Sequence, residues 1–193
     1  NLQAASVDVL AGSSLASGTV TAADGAATLS ASGDLASGAI TASGAVSASS
    51  SGGKVTLGDV RAGSVNLGAF GPLVFGDVSG TTGTVSIGTN GGVTGGAITA
   101  ASKIVLSSNG GAVTLGNLGA TQAVLLGAAG DLRVGNVSAE NATVELRATG
   151  GALAAGAITA GTDTAIVATG DVTVGAVRAR DMLLLAGGNI RAA

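Results

Sequence analysis

The chain contains no cysteine and no histidine. The first absence removes disulfides and thiolate metal ligands. Together they remove the common zinc sets and the Ser–His and Cys–His pairs that generate a nucleophile. Tryptophan and tyrosine are missing too, and the aromatic residues are Phe70 and Phe75, which leaves little platform for sugar stacking. Proline occurs once, at Pro72; with no glycine at every third position, a collagen helix is excluded. Only 10% of residues are charged, whereas a disordered chain is rich in charge and poor in aliphatics. The eight Lys and Arg residues are scattered, so no basic run can neutralise phosphates, and nucleic acid is not an expected partner. No stretch approaches the ~20 apolar residues of a membrane helix; the most apolar short run is MLLLA at 182–186. A basic segment followed by an apolar one is also missing, so no signal peptide is read.

What is present is glycine, 35 of 193 residues, and a hydrophobic fraction of 46% made mostly of Ala, Val, Leu and Ile. These residues recur. A glycine, a variable residue, an aliphatic, a polar and a small residue appear as GTVTA, GAITA, GDVRA, GDVSG, GAITA, GNLGA, GNVSA, GAITA and GAVRA. The aliphatics are Val20, Ile40, Val60, Val78, Ile98, Leu118, Val137, Ile158 and Val177, spaced 18 to 21 residues apart. Such a period is the signature of a repeat architecture.

Two further segments share each period. Before the anchor come pairs such as Val55/Leu57, Leu73/Phe75 and Leu132/Val134; after it come Val65/Leu67, Ile104/Leu106, Val144/Leu146 and Met182/Leu184. Alternation of period two puts successive side chains on opposite faces of a strand. Three short strands in about 20 residues cannot return as hairpins, but they can bend around a triangle and rise one layer, ~4.8 Å, per circuit. The expected fold is therefore all-β: a parallel β-helix of nine to ten coils, about 45 Å long, with corners of one to three residues. Corner glycines are expected to supply positive φ or close backbone approach. Ala22, Ala42, Ala62 and their equivalents fit a narrow interior. Thr21, Thr41, Ser79, Thr99, Ser138 and Thr159 take the outward slot, with hydroxyl ladders expected from coil to coil.

The fullest units, Gly33–Gly52 and Gly130–Gly150, carry the pattern G-D-L-x-[VS]-G-x-[IV]-[ST]-A. This pattern resembles the haemagglutinin-type repeat of filamentous-haemagglutinin-like exoproteins, and the resemblance covers essentially the whole chain. It implies a right-handed β-helix from a long adhesin exported through two-partner secretion, at the surface of a Gram-negative bacterium. Residues 1–193 then read as a single segment of a longer shaft, without the family's secretion domain. The implied role is structural: a non-catalytic shaft in adhesion, biofilm matrix or contact-dependent competition. Its implied partners are neighbouring coils, like rods arranged end to end or laterally, or a host or bacterial glycan or receptor. A glycan- or receptor-binding module acting along the Ser/Thr-rich faces is the alternative.

Catalytic, metal-binding and cofactor-binding residues are not assigned. β-Helical lyases and hydrolases need clustered carboxylates or a calcium site in a walled groove, and these corners are too short to build walls. Asp34, Asp131 and Asp171 share a corner slot in non-adjacent coils and read as turn residues. Asp59 and Asp77 occupy one slot in neighbouring coils and read the same way, with cation binding as the sharper alternative. Asn136-Val-Ser and Asn141-Ala-Thr match the N-glycosylation acceptor pattern, which short Ser/Thr-rich chains also produce by chance. In FGPLVFG (70–76), Phe75 reads as core, Pro72 as a corner and Phe70 as exposed. On the strand after the anchor, the outward slots are polar in early coils (Ser30, Ser47, Asn66, Ser86), but later coils place Val105, Leu125, Val167, Leu183 and Leu185 there, interrupted by Glu145 and Arg147. An apolar stripe of this kind marks a lateral contact, unless the register slips by one residue and turns it inward.

Overall fold

The computed structural model describes residues 1–192 and contains only strands and corners. Thirty strands form three parallel sheets of ten, a β-solenoid of about ten turns. The anchor sheet runs from Leu2–Ala4 to Val177–Arg178 and contains every recurrent aliphatic named above. The wide sheet runs from Val7–Ala11 to Asp181–Ala186, and the third sheet from Leu15–Ser17 to Ile190–Ala192. Each strand pairs with its equivalent one coil away, as in Val60↔Val78 and Leu67↔Ile87. Corners span one to four residues, slightly longer than the spacing predicts, as in Ser51–Lys54 between the wide and third sheets.

The interior is a set of stacked columns. Val20, Ile40, Val60, Val78, Ile98 and Leu118 lie one above another in the anchor sheet, each at most 3% exposed. Alanines follow them inward, where the triangle narrows. Side-chain size is balanced between coils rather than within one. Phe75, the bulkiest interior residue, pairs with Gly95 of the next coil, and a Cβ on Gly95 would collide with the phenyl ring. Phe75 is therefore core and Phe70 is exposed at 59%, as the sequence predicts.

One interior position breaks the pattern. Thr164 pairs with Val144 in a wide-sheet column otherwise aliphatic from Val46 onward, is 1% exposed, and its hydroxyl has no hydrogen-bond partner. An unsatisfied buried hydroxyl costs about 1–3 kcal/mol, and valine has nearly the same shape. Thr164→Val is expected to stabilise the fold by about 1 kcal/mol, read as a rise in the denaturant midpoint at unchanged slope.

The corner glycines have a reason only partly legible in sequence. Among the described residues no glycine has positive φ; close approach to the coil before is what requires most of them, and Gly12 in the first coil meets nothing within 4 Å. A Cβ on Gly116 would stand 3.0 Å from the backbone nitrogen of Ala97, and one on Gly91 would stand 2.6 Å from the backbone of Gly71 and Pro72. Successive corners stack so closely that Gly96, Gly116 and Gly135 each donate an N–H to the glycine carbonyl one coil before, at 2.9–3.0 Å. Buried hydroxyls pin three of the corners between the wide and third sheets. Ser50, Thr89 and Ser108 donate to the carbonyls of Gly33, Gly71 and Gly91 at 2.5, 2.5 and 2.7 Å. Hydroxyl ladders arise elsewhere than expected, between Ser17 and Ser37 (2.9 Å) and between Ser30 and Ser49 (3.4 Å), and the anchor-sheet threonines stack without such bonds.

Candidate functional site

The corner Asp and Asn residues hold the carboxylates and amides that the sequence singles out. Asp59 accepts the N–H of Asp77 at 2.9 Å, and Asp77 accepts that of Ala97 at 2.8 Å. Asn117 and Asn136 do the same for Asn136 and Ala157, at 2.8 and 2.9 Å. Asn1, in the same corner, accepts from Thr19 at 3.0 Å, and at the corner between the wide and third sheets Asp34, Asp131 and Asp171 accept from Lys54, Ala152 and Asn189 at 2.7–3.1 Å. Each side chain thus caps a backbone donor one coil later, where the path between strands leaves it unpaired.

Every cap has a matching glycine. In all eight cases the residue before the capped N–H is glycine (Gly18, Gly53, Gly76, Gly96, Gly135, Gly151, Gly156, Gly188), and a Cβ there would collide with the capping oxygen. Pro72 follows the same logic: it occupies the capped slot of the coil after Lys54, which has no oxygen to offer, and proline has no N–H to satisfy. One oxygen of each corner carboxylate is thus engaged by the backbone, and Asp131 Oδ2 also accepts from Arg133 Nη2 at 3.3 Å. Among the described residues no three acidic groups converge as a metal set. The expected consequence is that Asp77→Ala costs about 0.5–1.5 kcal/mol while Asp77→Asn, which keeps the accepting oxygen, stays close to the parent; chemical denaturation of the two variants checks this.

Asn136 and Asn141 are both exposed. They differ in freedom, because the Oδ1 of Asn136 is held by the Ala157 N–H. Nothing in the geometry marks either as modified.

The five apolar stripe residues all face outward on the wide sheet, so no register slip occurs. They do not form one stripe. Val105, Leu125, Glu145, Ala165 and Leu183 pair in one column. Ser107, Gly127, Arg147, Val167 and Leu185 form the next. Val105, Leu125 and Val167 are half-buried by column neighbours, while Leu183 and Leu185 are 50% and 51% exposed in the last described coil. Glu145 and Arg147 stand side by side, Oε1 to Nη1 at 3.6 Å, both substantially exposed. An exposed pair of this kind contributes little to stability.

Sequence reasoning missed a shallow groove on the same face, over the earlier coils. Its cavity of about 380 Å³ has a floor of Ser49, Gly68, Gly88 and Ser107, with Phe70, Asn90 and Asn109 along one edge. The Asn109 amide donates to Asn90 Oδ1 at 3.3 Å. The signal that could have found the groove was the small-residue column Ser49–Gly68–Gly88–Ser107, one strand pair after another.

Compared with protein-family models, with curated proteins and with solved structures, the chain gives no match.

Proposed function

We propose that this chain is a structural shaft segment of a secreted bacterial surface adhesin or extracellular fibre, of the haemagglutinin-repeat kind, and that it is non-catalytic. The observation that carries this reading is the continuity of the stack. Three ten-strand ladders run the length of the rod over an aliphatic core, and the capping side chains each spend an oxygen on a coil-to-coil bond. Such a solenoid gains stability from each added neighbour, which suits a spacer of arbitrary length. Electron microscopy of the native material tests it. Fibres far longer than 45 Å with a ~4.8 Å axial repeat are expected; discrete short rods would overturn the shaft reading.

A second reading, glycan or receptor recognition along the rod, is favoured by one observation, exposed Phe70 beside a groove edged with Asn90 and Asn109. Aromatic faces and amides are the groups that hold sugars. Binding on a glycan array that disappears in Phe70→Ala would establish it.

A further inference from the structure

We propose that two copies of this chain pair laterally through their wide sheets, parallel and face to face, about a two-fold axis running along the rod between its two central outward columns. The pairing rests on the structural reading above and names its partner.

From the coil of Val105 onward the face is complementary under that operation, while in the first coil it sets Asp8 against the partner's Leu10. An axis along the rod sets each coil opposite the same coil of the partner and exchanges the two columns. Glu145 then faces the partner's Arg147, and Arg147 faces the partner's Glu145, in two equivalent charge pairs. An axis across the rod keeps each column opposite itself, so one passing through this coil would bring Glu145 onto the partner's Glu145. Isologous contacts require this kind of reciprocity. The apolar residues follow the same exchange: Leu125 meets the partner's Gly127, and Leu183 meets the partner's Leu185.

The glycines of this face carry an independent argument. Corner glycines from the second coil onward are demanded by their own chain, but Gly88 and Gly127 on the wide sheet are not. A Cβ on Gly88 would touch nothing within 4 Å, and one on Gly127 would find only the Leu106 carbonyl, at 4.0 Å. Glycine within a strand weakens it and marks the close approach of another body. Gly68, Gly88 and Gly127 fall in one column, beside a column of larger side chains that an exchanging two-fold would lower onto them.

The area suffices. Ten coils at ~4.8 Å and strands of about 18 Å give a face of roughly 850 Å², against ~800 Å² per partner in a standard stable interface.

Sedimentation equilibrium of the chain from about 1 to 500 μM, a range chosen around ordinary lateral affinities, tests the pairing. A monomer–dimer equilibrium is expected. Glu145→Arg and Arg147→Glu should each weaken it tenfold or more, and an equimolar mixture of the two should recover it as a heterodimer. Gly127→Gln should abolish it, with the circular dichroism and melting of the dilute monomer unchanged. A chain that stays monomeric throughout overturns the proposal. So do association equally strong in all three variants, a mixture that fails to recover, and a monomer that instead captures glycan on this face. Each of those results removes this pairing, and the shaft reading is judged separately by its fibres.

Discussion

Replacing Ile98 with aspartate is expected to cost about 5 kcal/mol or more, comparable to the whole stability of an ordinary domain. Ile98 is fully buried in the sixth anchor strand, between Val78 and Leu118. The substitution removes a core aliphatic, worth about 2–5 kcal/mol in large-to-small changes. It also places a carboxylate where the neighbouring columns are aliphatic and offer it no partner. The form of the damage matters as much as its size. A solenoid coil rests only on the coil before and the coil after, so its stability is a sum of coil terms and nearest-neighbour interfaces. Loss at the sixth coil therefore cuts the stack into two shorter stacks, and unfolding should cease to be a single transition. Hydrogen exchange is expected to show protection lost first between about residues 78 and 120, the coils that flank Ile98. The same change at Val177, only partly buried in the last anchor strand, removes a single neighbour interface and should cost about 1–2 kcal/mol by the same nearest-neighbour reasoning. Equal losses at the two sites, each in one sharp transition, would contradict the additive picture.

The second large effect is expected from Gly91→Val. A Cβ at Gly91 would lie 2.6 Å from the carbonyl carbon of Gly71 and from the nitrogen of Pro72, and 2.8 Å from the Gly71 oxygen. Those are backbone atoms inside a stacked corner, so neither can swing aside as a side-chain end would. The fourth and fifth coils must part locally, breaking ladder bonds such as Leu73 N–H to the Gly92 carbonyl at 3.0 Å. Overpacking of this kind costs 1–3 kcal/mol and sometimes more; about 3 kcal/mol is expected here. Gly88→Val, three residues earlier, is the control. Its Cβ enters open space and replaces a poor strand former with a good one, so the dilute monomer should hold its stability or gain up to about 1 kcal/mol. Urea denaturation of the pair decides it: a small or reversed difference would mean that the corner accommodates side chains and that glycine recurs there for another reason.

The contrast between these glycines shows where sequence reasoning stopped. Both lie in one period, and composition cannot tell them apart. Gly91 is required by Gly71 and Pro72 some twenty residues earlier, while Gly88 is required by nothing in its own chain. The carboxylates are similar. Asp59 and Asp77 were legible as corner residues, but the N–H that each caps belongs to the next coil, as does the glycine that makes room for its oxygen. The outward face divides in the same way. Alternation within the strand put Val105, Leu125, Val167, Leu183 and Leu185 on one face, whereas the outward direction of that face and its division into two columns, with Glu145 in one and Arg147 in the other, follow from pairing between coils. The anchor strand Leu2–Ala4 was missed because only part of the anchor pattern falls within residues 1–193 there, although its aliphatic and alanine fit.

The sequence by itself determined the period, the three strands per coil, the alternation of side chains between two faces and the aliphatic identity of the core. These follow from local alternation and recurrence, which every stretch of about twenty residues carries within itself. Tertiary structure alone decided what each side chain meets: Phe75 with Gly95, Asp77 with the Ala97 N–H, Leu125 with Glu145. Coil length varies between 18 and 21 residues, and corners absorb the difference. The partner of a residue is therefore set by where the chain has travelled around the triangle, a quantity fixed only once successive coils have stacked.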